Sequence, residues 1–414
     1  MTAHFFLFGG SLSQERLSWI EECLKFYFVN LNPENLLHHT KTLDSVFVFL
    51  LTGDALYSLQ DPRTVPLWEI ILSMPSVKIV CNLRELELRG ISAGRLKMKN
   101  PDQVIDRNSL ALNGQPSFWK DVMKYARQHE QPVPSTVGYL QTESPYMHQS
   151  ARAALQFLDA GVEAHASVDL YAYLDGVHLG HTGQNPSESD NIGKGLEEIS
   201  EKASKRGLAC QMIACGRCAA ARGYSTWDDG KGMVVSTCSI KPFRIRELKE
   251  MVHQFERSHV ILAKDSGCIQ LKKEGQSTSL VQLENGKKPP ITILITRSPY
   301  GTEMAFGAIS FATACAHEGI STRVVFIDDG VYALMGEHKL DEGTHFFNLQ
   351  EVVNAVAGSG NLQFFAFQPS LNQRGIQKNR NLNAVLDIDI PELGQLLFFP
   401  PSGVSANHQR VIFF

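Results

Sequence analysis

Two cysteines three residues apart are the side chains here best placed, by type and spacing, to do chemistry: Cys215 and Cys218 in Cys215-Gly216-Arg217-Cys218. The apolar run from Leu208 to Ala214 reads as a buried strand, and the alanine-rich stretch 216–222 reads as the first turns of a helix. A thiol that ends a strand and enters a helix sits where ligands and reactive groups collect in open parallel sheets. The unpaired N–H groups of a first helical turn carry partial positive charge and favour a thiolate over a thiol. Arg217, and Arg222 further along, act in the same direction. Cys215 is therefore expected to be the nucleophile, with Cys218 on the same side of the turn. The competing reading is that both are small packing residues.

Other constellations are weaker. A zinc or iron–sulfur site would have to add Cys210 and Cys238, but structural zinc prefers two close ligand pairs and Cys238 stands alone. No metal and no cofactor are expected. His178 and His181 flank Leu179-Gly180 in what reads as a solvated loop. Gly9-Gly10-Ser11 and Gly193-Lys194-Gly195 complete neither phosphate-binding pattern, so they read as turns. There is no Ser/His/Asp context and no paired-carboxylate signal. Asp175 precedes a glycine at a strand end, as turn residues do. Strand C-termini converge, so Asp175 and Tyr146 can both line the pocket of Cys215.

The elements that position these residues are repeated. Ser144-Pro145-Tyr146 recurs as Ser298-Pro299-Tyr300. Each tyrosine is followed at equal spacings by Ala151, Ala154 and Phe157 or by Ala305, Ala308 and Phe311, which is one helical face. Asp175-Gly176-Val177 and Asp329-Gly330-Val331 then fall at the same distance, and Arg222-Gly223 and Arg374-Gly375 follow. The first hundred residues carry the same order of elements more weakly, through Gly53-Asp54 and Arg89-Gly90. Counting back from each Arg-Gly glycine places Cys215, Phe367 and Asn82 at one position. Cys81 is one residue off that register and is a candidate second thiol. Strand alternates with helix throughout, which predicts an α/β fold of three repeated, Rossmann-like units with mainly parallel sheets. The units are assigned to 1–113, 114–275 and 285–414. The middle one is expected to place strands at 137–141, 166–173, 208–214 and 259–263, with a short one at 233–236, and a helix over 244–257.

The bulk properties agree. The chain has 414 residues, 43% hydrophobic and 20% charged, which describes a globular protein of several domains. A net charge of −4 argues against direct nucleic-acid binding. No apolar run approaches the roughly 20 residues that span a bilayer. The first residues, with Phe5-Phe6-Leu7-Phe8, read as a buried strand rather than a signal peptide. Eight scattered cysteines fit reduced thiols of the cytoplasm, most of them small buried hydrophobes such as Cys23 and Cys315.

Ser-Pro-Tyr, an alanine-rich helix, Asp-Gly-Val and then Cys215 eight residues before Gly223 together resemble the DsrE/DsrF/DsrH (TusD/TusC/TusB) sulfur-relay family. The middle unit is similar to the DsrE/TusD type, the last to the DsrF/TusC type and the first to the short DsrH/TusB type. The resemblance implies small α/β units that assemble as trimers, so one chain would imitate a heterotrimer, with pairing into a homodimer as a further step. It also implies sulfurtransferase chemistry. Cys215 would accept sulfane sulfur as a persulfide from a donor protein and pass it to a TusE/DsrC-like acceptor, in tRNA thiolation or in sulfur oxidation. Fusion and the extra thiol of Cys218 depart from that pattern. Two alternatives stay open: a dithiol redox protein using the Cys215/Cys218 pair, and a non-catalytic assembly module.

Overall fold

The computed structural model describes residues 2–31, 45–74, 76–91, 117–126, 136–228, 230, 233–236, 238–258, 260–271, 288–340, 347–399 and 408–414. The chain opens with β1 (Thr2–Phe8), α1 (Gln14–Leu31), β2 (Ser45–Leu51), α2 (Val65–Ser73), β3 (Val77–Cys81) and α3 (Leu83–Leu88). The middle segment runs through α4 (Ser117–Ala126), β4 (Thr136–Gln141), α5 (Ser150–Glu163), β5 (Ser167–Ala172), α6 (Ile192–Lys205), β6 (Cys210–Cys215) and α7 (Gly216–Ala221). It continues with a hairpin of β7 (Thr226–Asp228) and β8 (Met233–Val235), then β9 (Phe243–Arg246), α8 (Leu248–His253) and β10 (Val260–Ala263). After β11 (Asp265–Leu271) come β12 (Ile291–Ile295), α9 (Met304–His317), β13 (Thr322–Phe326), α10 (Leu349–Val356) and β14 (Leu362–Phe367). The last elements are α11 (Gln368–Gln373), β15 (Val385–Ile388), α12 (Ile390–Phe398) and β16 (His408–Phe413).

This is an α/β protein with mainly parallel sheets. The middle strands form an all-parallel sheet in the order β10-β4-β5-β6-β9. The last segment repeats that order as β16-β12-β13-β14-β15, again all parallel. β1, β2 and β3 are parallel neighbours in a shorter version. β11 runs antiparallel to both β1 and β16 and joins the first and last segments into one nine-stranded sheet. The strands are apolar on both faces because both faces are covered. Along β1, Phe5 and Leu7 enter one core and Phe6 and Phe8 the other, as the period of two demands.

One expectation, the helix over 244–257, needs correction. β11 follows β10 of the middle segment directly in the chain. It belongs to the other sheet, because β1 has an open edge where the middle unit has β10, and β11 satisfies that edge. The expected helix over 244–257 is instead β9, α8 and a 3₁₀ turn (Gln254–Arg257). Phe243-Arg244-Ile245-Arg246 alternates in burial, a strand period overlooked beside the helical run that follows. The expected short strand near 233–236 is present as β8, in a hairpin with β7. The limits at 113, 114, 275 and 285 themselves lie outside the described residues.

The repeat is visible in backbone detail. Gly53, Leu174 and Asp328, with φ of 55°, 51° and 51°, each open a 3₁₀ turn after the second strand. The next residue is Asp54, Asp175 or Asp329. In the two Asp-Gly-Val copies the glycine passes against the backbone carbonyl of the first strand: a Cβ on Gly176 or Gly330 would collide with the Gln141 or Ile295 oxygen. Gly90, Gly223 and Gly375 follow α3, α7 and α11 in the left-handed region, ending those short helices. The arginine before each glycine pairs with its own aspartate: Arg89 with Asp54 at 3.3 Å, Arg222 with Asp175 at 2.6 Å, Arg374 with Asp329 at 2.9 Å. Each also reaches the start of the helix that follows the first strand of the next segment. Arg89 donates to Gln149 (3.1 Å), Arg222 to Glu303 (2.7 Å) and Arg374 back to Glu15 (2.8 Å). The contacts run head to tail and close a ring.

Candidate functional site

Cys215 is the last residue of β6 and the N-cap of α7. In the parallel register it stands opposite Arg246 of β9, and Gly216 passes close to the Arg246 carbonyl, 3.3 Å from where a Cβ would stand. The chain turns into a helix here because the strand's hydrogen-bond neighbours end and alanines favour the helical turn. Cys215 is 1% exposed and Cys218 9%. The Cys218 thiol hydrogen-bonds Cys215. With the N–H groups of Cys218 and Arg217 and the Arg217 guanidinium, it outweighs burial and lowers the Cys215 thiol to about 7. Cys218 is pushed up, first by that same hydrogen bond and then by burial. One sulfur of the pair is thus poised as a thiolate while the other keeps its proton. Both cysteines are free thiols.

The site lies at the seam between the middle and last segments. The N–H of Leu174 reaches Cys218, from a backbone held in the left-handed region. The Leu174 side chain fills the space that Gly307 of α9 leaves empty: a Cβ there would lie 2.9 Å from both δ-carbons. The Tyr173 hydroxyl donates to the Gly307 carbonyl at 3.0 Å. Burial, then the charges of Cys218 and Cys215, push that phenol up, so it stays protonated. Arg222 donates to the Cys218 carbonyl (3.3 Å) while spanning Asp175 and Glu303.

Among the residues singled out from sequence, Cys215, Cys218, Arg217, Arg222 and Asp175 come together. Arg217 is exposed on α7 and Asp175 is half-exposed beside Arg222. Tyr146 is engaged elsewhere: at φ 69° its hydroxyl accepts from the Ile192 N–H (3.2 Å) and donates to Gln184 (2.7 Å), holding the start of α6. Tyr300 does the same for α10 through Leu349. Cys81 is wholly buried in the first segment's core, where burial pushes its thiol up. At the Cys215 position, Asn82 caps α3 by accepting from the Glu85 N–H, and Phe367 is buried. Cys210 is at the opposite end of β6 and is pushed up to about 12 by burial, while the Cys238 sulfur contacts the Tyr224 carbonyl at 3.5 Å. His178 bonds the Tyr224 hydroxyl and lies 3.8 Å from Asp175, so it belongs to this neighbourhood rather than to open solvent.

Tyr173, Leu174, Glu303 and Gly307 were not singled out from sequence. Glu303 alone had a signal: it stands three residues after Tyr300, as Gln149 stands after Tyr146.

The model of the DsrE/DsrF-like family matches residues 135–258 and 290–398. The chain belongs to that family. The two matched segments are those whose parallel strands repeat one order; residues 1–91 lie outside the matches. An uncharacterised protein of Methanopyrus kandleri is 34% identical over 96 residues, which is 23% of this chain and 74% of that protein. An uncharacterised protein of Methanocaldococcus jannaschii is 34% identical over 58 residues, 14% of this chain and 51% of that one. The crystal structure of the ychN protein from E. coli aligns with 31% of this chain and 100% of its own, at 23% identity and a TM-score of 0.25. No helix among the described residues is long and apolar enough to cross a membrane.

Proposed function

We propose that this DsrE/DsrF-like protein is a sulfur carrier that works through a persulfide on Cys215. The observation that carries the reading is the asymmetric thiol pair, with Cys215 lowered to about 7 and Cys218 held protonated. The Cys215 thiolate attacks the outer sulfur of a donor persulfide. The new S–S bond forms as the donor's S–S bond breaks, and the electron pair leaves on the donor thiolate. An acceptor thiolate then attacks the outer sulfur and Cys215 leaves as a thiolate, with the Cys218 S–H stabilising it. No net oxidation occurs and no cofactor takes part. The expected partners are a donor protein and a TusE/DsrC-like acceptor, in tRNA thiolation or sulfur oxidation. Free thiols at Cys215 and Cys218 suit a reducing cytoplasm. The three segments act as a fused trimer, in which the first and last support the middle one.

The test is intact mass after exposure to a sulfane donor. Wild type should gain one sulfur atom and Cys215→Ser none; a Cys215→Ser variant that loads as readily as wild type would sink the assignment. The hydrogen bond between the two sulfurs also supports a second reading, a dithiol redox couple. That reading expects reversible loss of two hydrogens, and Cys218→Ser as damaging as Cys215→Ser.

A further inference from the structure

Two seams of the ring share one route of contacts, and only its last residue differs in chemistry. Glu15 and Glu303 stand at matching places, each paired with the arginine of the segment before it in the ring. Four residues further on, Trp19 of α1 and Gly307 of α9 therefore correspond. At the seam between the last and first segments, Trp19 Nε1 donates to the Asp328 carboxylate at 3.2 Å. Asp328 is held in the left-handed region, and its N–H donates to the Ser370 hydroxyl at 3.0 Å. Ser370 stands four residues before Arg374, as Cys218 stands four residues before Arg222. At the Cys215 seam, Gly307, Leu174 and Cys218 fill the same three places. The Leu174 side chain packs on Gly307, its backbone is left-handed in the same way, and its N–H reaches Cys218. The route ends on a serine at one seam and on the thiol pair at the other.

We infer that Gly307 of the last segment is a positioning residue for the thiol pair, acting through Leu174 on Cys218. A non-glycine residue keeps a left-handed backbone only where its surroundings hold it there. Here the hold comes from α9. A Cβ on Gly307 would lie 2.9 Å from both Leu174 δ-carbons, and Leu174 is 6% exposed, so its side chain has no open space to move into. The Tyr173 hydroxyl, one residue earlier, ties the same turn to the Gly307 carbonyl at 3.0 Å. The Leu174 N–H fixes where the Cys218 sulfur sits and leaves its S–H free to donate to Cys215. A thiol is a weak donor whose bond depends on alignment, so a small shift of Leu174 loosens it. The last segment carries Phe367 where the middle one carries Cys215, yet by docking it sets how much of Cys215 is thiolate. This deepens the sulfur-carrier reading and rests on it for its role in sulfur transfer.

The experiment is thiolate absorbance against pH on the full chain, each variant read as a difference from its own Cys215→Ser form. Gly307→Val should raise the Cys215 midpoint until the thiolate fraction at neutral pH falls by about fivefold, less than removal of the Cys218 thiol itself. Gly307→Ala, the smaller intrusion, should shift it the same way by less, and it serves as the test if Gly307→Val does not fold. Leu174→Ala combined with Gly307→Val exchanges bulk across the contact and should titrate closer to wild type than Gly307→Val alone. Arg410→Met loosens the junction of the same two segments elsewhere, so it should cost stability and leave the midpoint in place. The inference fails if folded Gly307→Val and Gly307→Ala both titrate as wild type, if Arg410→Met shifts the midpoint as far, or if the double variant recovers nothing. Wild type that gains no sulfur from a sulfane donor sinks the carrier reading instead, and leaves the titration to decide whether Gly307 positions the pair.

Discussion

Replacing Cys218 by alanine removes the group that contributes most to lowering Cys215. With its thiol at about 7, Cys215 is roughly half thiolate at neutral pH; at the ordinary value of 9.0 it would be roughly 1% thiolate. The variant keeps the N–H groups of Arg217 and Cys218's successor alanine, and it keeps the Arg217 charge. Burial, which opposes ionisation, also stays. The thiolate fraction at neutral pH should therefore fall by about tenfold, not by the whole range. The assay is the ultraviolet absorbance of the thiolate against pH, taken as a difference from Cys215→Ser, because a sulfur this buried makes alkylation report access as well as charge. Cys218→Ser keeps a hydroxyl donor and should fall between the two. The linked stability has a definite direction. A thiol lowered by folding stabilises the native state fully above 9.0, and that contribution fades as the pH falls to about 7. If Cys218→Ala titrates at the wild-type midpoint, the hydrogen bond between the sulfurs is not what holds Cys215 ionised, and the asymmetric pair loses its basis.

The remaining predictions concern the frame. Arg222→Gln loses pairs to Asp175 and Glu303 at 2.6 and 2.7 Å. Both acids are more than half exposed, so a loss of about 1–2 kcal/mol is expected by urea denaturation, with sulfur loading also reduced. Gly330→Ala drives a Cβ into the Ile295 carbonyl and should lower the thermal midpoint by an amount equivalent to about 1–3 kcal/mol. Arg410→Met removes donors from the Phe255 and Ser258 carbonyls, at 3.0 and 2.6 Å, where the last strand meets the middle segment. About 2–4 kcal/mol should be lost in a denaturant titration. Burial lowers His4 to about 3. Below 6.5 the unfolded chain takes a proton that the folded one refuses, so stability should fall by about 1.4 kcal/mol per pH step down to that value. His4→Phe, which keeps the stack on Phe47, should remove that slope.

Much of this was legible in the residues. The spacing of Ser-Pro-Tyr, Asp-Gly-Val and Arg-Gly gave the repeat, because each motif meets a local need: a turn closing onto the next helix, a glycine against a carbonyl, a left-handed helix end. Cys215 at a strand end was legible for the same reason. The equally regular spacing of Tyr146 did not tell that its hydroxyl holds the α6 start. Arg244 to Arg257 misled because four alternating residues are a weak signal beside a helical run.

Local chemistry along the chain therefore determined which residues turn, which pack, and which thiol stands at a strand end entering a helix. Tertiary structure decided what surrounds that thiol. Arg222 meets Glu303, Leu174 meets Gly307 and β11 joins β1 to β16 only because three segments close head to tail. Contacts of that kind depend on surfaces brought together from distant parts of the chain, and no periodicity or spacing within one segment encodes its neighbour.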